Sequence, residues 1–173
     1  MNKILFCAAL AAVMSGAVAR ATVVDQSTAA LAGGWADATA ATAHYGGSSL
    51  YAAAGSNGAG GNVAAFDTTL TAGLYNVEVW NACFTPRAAN VPHDVIHAGG
   101  TTRVIVDQNQ PQGGCGQWLA LGVFEFDGAA SVRVSDAGVA AGAYLGADAV
   151  RFVLAEQPAI LFVQPDDRRH RLH

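Results

Sequence analysis

The chain has 173 residues, of which nine are Lys or Arg and thirteen are Asp or Glu, so its formal net charge at pH 7 is −4. An acidic chain whose basic residues cluster only at its last few positions is a poor candidate for binding nucleic acid or an anionic membrane. The length suits one domain with a substantial hydrophobic core.

The first 21 residues have the pattern of a secretory signal peptide. Lys3 supplies a positive charge, an apolar segment runs from Ile4 to Met14, and Ala-Arg-Ala at 19–21 offers small residues for cleavage. The apolar segment is too short to remain as a membrane span. We therefore predict a secreted or periplasmic mature chain that begins at residue 22, or at residue 20 if cleavage follows Ala-Val-Ala.

Two cysteines, Cys83 and Cys115, remain once Cys7 is removed with the signal peptide. An even pair of cysteines in an oxidising compartment predicts a disulfide. The closed loop of about 33 residues would stabilise the fold by roughly 3–4 kcal/mol in the chain-entropy description. Two unpaired thiols are the alternative.

Strand patterns recur along the chain, and no segment has helical periodicity. In the segment 73–82 the side chains of Tyr75, Val77 and Val79 share one face, and Trp80 lies on the other. Further strand patterns, separated by loops rich in Gly, Asp and Ser, cover residues 102–108, 117–126, 130–136 and 147–155. Many short strands with turn residues between them predict an all-β, antiparallel sandwich or jelly roll.

An Ala-rich segment, residues 52–65, is interrupted too often by Gly and Asn to form a helix. We interpret it as loop flanking strands.

The stretch HAGGTTRVIVDQ places a histidine, an arginine and an aspartate within twelve residues. The glycines at 99–100 predict a two-residue hairpin turn, which pairs His97 with Thr102. Because side chains alternate between faces, Asp94 and Arg103 then point away from His97. The sequence therefore predicts a structural hairpin here and no acid–base pair.

Several pieces occur in a recognisable order: an aromatic strand ending in Trp80, the R-x-x-N of Arg87 and Asn90, then HAGGTT, VDQNQ, GQWLALGVFEF and ADAVRF. Together with VVDQ, GGW and GSSLYAAAG upstream, they resemble the golvesin C-terminal-like domain, which is also found attached to xanthan lyases. The resemblance implies a jelly-roll sandwich related to galactose-binding-like domains, used as a carbohydrate- or cell-surface-binding accessory module. We predict this domain over residues 22–155, followed by a tail at 156–173.

Sets of catalytic residues are not apparent in the sequence. GGSS and GSN lack the frame of a nucleophile elbow, and no motif offers a catalytic metal site. Glu78 and Glu125 lie in strand patterns, where most carboxylates are simply solvated. We predict that the chain is not an enzyme. A polysaccharide lyase with His97 and Arg87 in its active site is the enzymatic alternative.

A sugar-binding surface on a β-sandwich combines an aromatic side chain with planar polar groups. The candidates are Trp80, Trp118, Arg87, Asn90 and Gln108, of which the polar three lie in or beside loops. The structural alternatives are that Trp118 packs in the core, that Asn90 caps a turn, and that Arg87 pairs with a surface carboxylate.

We predict no cofactor. Related sugar-binding jelly rolls often carry a structural Ca²⁺, and the resemblance implies that Asp25 and Asp148, in the first and last strands, are the residues that would hold one. Asp148 shares a face with Val150 and Phe152, which predicts that it is buried and needs a partner. A hydrogen bond to the backbone is the alternative to a metal.

The sequence thus predicts a secreted, non-catalytic module that binds a polysaccharide or cell-surface glycan. The alternative is a structural protein that self-associates through sandwich edges and its tail. The five apolar residues at 159–163 are too few to span a membrane, so the tail is expected to add an edge strand or to remain a solvated end.

Overall fold

The computed structural model of the protein describes residues 21–57, 59–109 and 114–155, and the predicted signal peptide and C-terminal tail lie outside them. No helix of the described residues has the length and hydropathy to cross a membrane. The chain there forms one short 3-10 helix, Gln26–Thr28, and twelve strands. The strands are β1 (Ala21–Asp25), β2 (Ala30–Ala32), β3 (Ala36–Asp37), β4 (Leu50–Ala53), β5 (Val63–Thr69), β6 (Gly73–Trp80), β7 (Val91–His97), β8 (Gly100–Val106), β9 (Trp118–Phe126), β10 (Ala129–Ser135), β11 (Tyr144–Ala147) and β12 (Ala149–Leu154).

The strands form two large antiparallel sheets and one small one. The first has the order β1-β12-β6-β9, the second β2-β5-β10-β7-β8, and the third, smaller sheet β11-β4-β3. The inner faces of the two large sheets enclose a single main hydrophobic core. The predicted all-β, antiparallel jelly-roll sandwich is confirmed.

The core follows from the alternation of apolar residues along the strands. On β6, Tyr75, Val77 and Val79 are buried as predicted, while the residues between them face outward. Phe126 packs edge-on against Tyr75 and Phe152, with ring centroids 5.8 and 5.6 Å away. Burying a side chain of this size stabilises the fold by roughly 1.5–3 kcal/mol, so these rings, all from the four-stranded sheet, are a substantial part of the core.

The Ala-rich segment contains more strand than the sequence predicted. Residues 50–53 form β4 and residues 63–69 form β5, with Ala52 and Ala64 completely buried. Alanine has a weak intrinsic preference for strands, but its small side chain lets the sheets approach closely. Tertiary packing therefore overrides the local signal.

The β7–β8 hairpin turns one residue earlier than predicted, at residues 98–99, and His97 lies opposite Gly100. This shift moves every cross-strand pair by two residues, so the side chains stay on their predicted faces. Asp94 faces Arg103 directly and accepts two hydrogen bonds from its guanidinium, each 2.7 Å long. The prediction that His97 and the neighbouring acid do not meet is confirmed.

The predicted disulfide between Cys83 and Cys115 is formed, with the two Cα atoms 4.9 Å apart. It connects the segment after β6 to the segment before β9. The first segment contains Phe84, and the second leads directly into Trp118, the first residue of β9.

Candidate functional site

Three aromatic rings cluster on the outer face of the four-stranded sheet. Trp80 on β6 lies opposite Trp118 on β9, and their ring centroids are 5.3 Å apart. Tyr45, from the loop before β4, packs 5.8 Å from Trp80 and 5.1 Å from Trp118. We call these rings, with Arg151 and Glu78 beside them, the outer cluster.

The charged groups of the outer cluster and the indole N–H of Trp80 already have partners within the protein. The Arg151 guanidinium lies 4.5 Å from the ring centroid of Trp118 and forms an ion pair with Glu78. The indole N–H of Trp80 donates a 2.7 Å hydrogen bond to the carbonyl of Ala43. One face of Trp118 is therefore covered, and the charges of Arg151 and Glu78 compensate each other.

A concave pocket of about 240 Å³ lies beside the small sheet; we call it the tyrosine pocket. Tyr51 on β4 and Tyr144 on β11 are 37% and 41% exposed, and their rings meet edge to face at 5.8 Å. The remaining lining consists of Asp37, Ala38, Thr39, Ala40, Ala41, Phe84 and Arg87. A pocket of this volume is smaller than the roughly 300–1,000 Å³ typical of drug-sized ligands, and it suits one sugar ring.

Arg87 is the cation of the tyrosine pocket and is only 6% exposed. Its Nε and Nη1 atoms are buried without a hydrogen-bond partner, and its Cζ lies 5.4 Å from the ring centroid of Phe84. Burial lowers the pKa of Arg87 to about 10, although the charge of Asp148 acts in the opposite direction. The guanidinium therefore stays protonated at neutral pH.

The wall behind Arg87 is built from the backbone of Gly146. A Cβ atom there would lie 1.8 Å from Nη1 of Arg87, so only glycine leaves room for the guanidinium. Gln108 is buried and makes two hydrogen bonds to the backbone of Gly146. Its Nε2 donates a 2.8 Å bond to the Gly146 carbonyl, and its Oε1 accepts a 2.8 Å bond from the Gly146 amide. Its side chain therefore holds this strand in place.

The Golvesin C-terminal domain family matches residues 21–154 of the chain. The chain belongs to this family. The xanthan lyase of Bacillus sp. (strain GL1) is 38% identical over 127 residues, which cover 70% of this chain and 13% of the lyase.

Two solved structures place this golvesin domain among known folds. One is the Paenibacillus xanthan lyase, which matches with a TM-score of 0.65 at 32% identity over 79% of the chain and 13% of the lyase. A family 35 carbohydrate binding module from Clostridium thermocellum matches with a TM-score of 0.50 at 16% identity, over 78% of the chain and 98% of the module. The predicted resemblance is confirmed, and the second match shows a shared fold.

The predicted ligand-binding residues of the golvesin domain fall into separate places. Trp80 and Trp118 meet in the outer cluster, whereas Arg87 and Gln108 lie at the tyrosine pocket and in its wall. Asn90 is exposed and donates a 2.9 Å hydrogen bond to the carbonyl of Gly138, so its side chain connects two loops. Their roles in binding stay predictions.

Sequence reasoning missed four aromatic residues of these two regions: Tyr45, Tyr51, Phe84 and Tyr144. Tyr51 and Tyr144 each adjoin a buried leucine, which is the alternation of a half-buried strand. That alternation was the available signal, but four-residue strands carry it for too few positions to be distinctive.

Asp148 is buried, as its position in the strand predicted. Its Oδ2 accepts a 3.1 Å hydrogen bond from the amide of Tyr45, and its Oδ1 is buried without a partner. The pKa of Asp148 is raised to about 7, chiefly by burial; the hydrogen bond from the Tyr45 amide lowers it, the charge of Asp25 raises it, and the charge of Arg87 lowers it. In the part of the chain that the structure describes, no three His, Cys, Asp or Glu residues are grouped to hold a metal.

Proposed function

We propose that this golvesin domain is a secreted, non-catalytic module that binds carbohydrate. The observation that carries the proposal is the tyrosine pocket, which combines exposed aromatic rings with convergent polar groups in a concavity sized for a sugar ring. Trp80 and Trp118 of the outer cluster form a second candidate contact surface. The shared fold with a carbohydrate binding module supports the same function.

A non-catalytic role is supported by the separation of the groups that chemistry would need. His97 interacts with Thr102 at 2.9 Å and packs 5.1 Å from the Phe124 ring, on the hairpin, and it does not line the pocket of Arg87. Glu78 is paired with Arg151. His97, Glu78 and Arg87 therefore lie in separate places of the described structure.

The identity of the polymer is best approached through the relatives. The chain spans only 13% of the two xanthan lyases, so their activity belongs to much longer proteins. Xanthan is nevertheless the first polymer to test, followed by insoluble cell-wall material.

The test is affinity electrophoresis and calorimetry of the mature chain with xanthan and a panel of neutral polysaccharides. Tyr51→Ala and Tyr144→Ala should each weaken binding about tenfold, because each removes an exposed aromatic contact. Trp80→Ala is the comparison variant for the outer cluster, and circular dichroism checks each fold. Absence of binding to every polymer overturns the proposal, and loss with Trp80→Ala alone moves the site to the outer cluster.

We also propose that Asp25 and Asp148 hold a structural Ca²⁺, as the resemblance implies. The partnerless Oδ1 of Asp148 supports this, since a buried carboxylate oxygen calls for a cation or a hydrogen-bond donor. Because no third carboxylate is grouped with them among the residues that the structure describes, the other ligands would be backbone carbonyls and water. EDTA should lower the melting temperature and added Ca²⁺ should restore it; an unchanged melting temperature contradicts the ion.

Self-association is a second candidate function, favoured by the edge of the five-stranded sheet. Strand β8 is an edge strand and Ile105 on it is 55% exposed. Such an edge can pair with a strand of a second chain. Light scattering over a hundredfold concentration range tests this, and a monomer throughout excludes it.

A further inference from the structure

The four arginines that the structure describes differ in how their charge is compensated. Arg103 pairs with Asp94 and Arg151 pairs with Glu78. Arg133 is exposed to water. Arg87 alone is buried, and no carboxylate of the described residues forms an ion pair with it.

A buried, unpaired guanidinium is energetically unfavourable unless another group compensates its charge. Asp148 acts on Arg87 only at a distance, and the Nε and Nη1 atoms of the guanidinium are enclosed by protein without a hydrogen-bond partner, with Nη1 against Gly146. The open side of this environment is the tyrosine pocket, which Arg87 lines. The uncompensated charge therefore makes the pocket attractive to an anionic group.

The other polar groups of the pocket indicate what should carry that anionic group. Asp37 and Thr39 are exposed at the lining, where a carboxylate and a hydroxyl can hydrogen-bond to hydroxyl groups of a ligand. Asp37 would repel a bare anion. A ligand with hydroxyls on one side and a carboxylate on the other could instead place its hydroxyls at Asp37 and its carboxylate at Arg87. Tyr51 and Tyr144 supply apolar contact for a ring.

We propose that the tyrosine pocket is a subsite for an acidic sugar residue whose carboxylate is recognised by Arg87. This inference rests on the carbohydrate-binding function proposed above and names its substrate class. Arginine suits the role because a charge-assisted hydrogen bond from its guanidinium to a carboxylate is strong, and Nη2 is the nitrogen that is not among the enclosed, partnerless atoms. The aromatic pair orients the sugar ring, and Asp37 and Thr39 select its hydroxyls.

The decisive experiment compares two polymers that differ only at the carboxylate. Calorimetry of the wild-type chain is performed with oligogalacturonate and with the same oligosaccharide after its carboxylates are reduced to primary alcohols. The acidic form should bind on the order of tenfold more tightly, and the difference should shrink as NaCl is raised. Equal binding of the two forms overturns the acidic-sugar inference but leaves carbohydrate binding standing. Binding of neither form, with other polysaccharides bound, overturns it too.

Variants locate the effect. Arg87→Gln should abolish the preference for the acidic form, while Arg133→Gln, which removes the same charge from an exposed position, should retain it. If Arg87→Gln does not fold, Ala40→Trp, which fills the exposed lining of the pocket, should abolish binding of both forms and leave Arg87 in place. An unchanged preference in Arg87→Gln, or unchanged binding in Ala40→Trp, overturns the proposal.

Discussion

The outer cluster and the tyrosine pocket are built from the same kinds of residues but differ in how many partners those residues have. In the outer cluster, Arg151 stacks on Trp118 and pairs with Glu78. In the tyrosine pocket, Arg87 lies beside Phe84 with two nitrogens unpartnered, and the tyrosines are exposed.

This difference indicates which group of residues stabilises the fold and which is available to bind a ligand. A set of side chains that satisfies its own charges and hydrogen bonds mainly stabilises the fold. An incomplete set in a concave, accessible place has interactions left for a ligand. The presence of arginine with aromatic rings does not distinguish the two, whereas the number of unpaired polar atoms does.

The largest expected effect comes from removing the bond that connects the two regions. Cys83→Ser with Cys115→Ser should lower the free energy of unfolding by roughly 3–4 kcal/mol, because the unfolded chain regains the freedom of a loop of about 33 residues. Cys83 precedes Phe84 of the pocket, and Cys115 lies three residues before Trp118. Urea unfolding of the oxidised protein and the variant measures the difference; matching midpoints would show that the disulfide does not stabilise the fold.

Acidification should reduce the contribution of His93 to the stability of the fold while leaving the charge of Arg87 unchanged. Burial lowers the pKa of His93 to about 4, against the smaller opposing effects of the Val91 carbonyl and Asp94. Between this value and about 6.5, the unfolded chain binds a proton at His93 that the folded chain does not, so stability falls as pH falls. The expected contribution of His93 is about 2 kcal/mol between pH 7.5 and pH 5.

Urea unfolding at both pH values tests this, with His93→Asn as the variant. Asparagine keeps a hydrogen-bond donor near the Val91 carbonyl but does not titrate. Asp148, whose raised pKa of about 7 acts in the opposite sense over this range, is present in both proteins, so it cancels in the comparison. Going from pH 7.5 to pH 5, the variant should gain about 2 kcal/mol of stability relative to the wild type. An equal change in the two proteins would contradict the role of His93.

The smallest expected effect is in the outer cluster. Glu78→Gln removes the carboxylate partner of Arg151, and because the pair is partly exposed the stability should fall by at most about 1 kcal/mol. Binding to the tyrosine pocket should not change, because neither residue lines it. Thermal unfolding and calorimetry measure the two quantities. A Glu78→Gln variant that loses carbohydrate affinity would show that the outer cluster is more than structural.

Strands with long, regular alternation were predictable from the sequence, and β6 is the clearest example. The faces of His97 and Asp94 were predictable as well, although the turn was displaced by one residue. The segment 147–155 was predicted as one strand, but the chain leaves the small sheet at Ala147 and enters the four-stranded sheet at Ala149. A change of sheet requires no change in the pattern of apolar residues, so it has no local signal.

The candidate site, too, was only partly predictable from the sequence. Arg87 was recognisable as a loop residue worth attention, and the paired cysteines indicated their disulfide, because residue type and compartment suffice for such predictions. Burial of Arg87 depends on Gly146, nearly sixty residues later, and the pocket depends on Tyr51 and Tyr144 meeting across β4 and β11.

The sequence by itself thus determines which segments are strands, which face each side chain takes and which family the domain belongs to, because these depend on alternation and on neighbours in sequence. Which polar atoms lack a partner depends on which distant segments approach them, and that is settled only when the sheets pack. A charged side chain is ordinary in the sequence and becomes a candidate for binding only when folding buries it without a counter-ion.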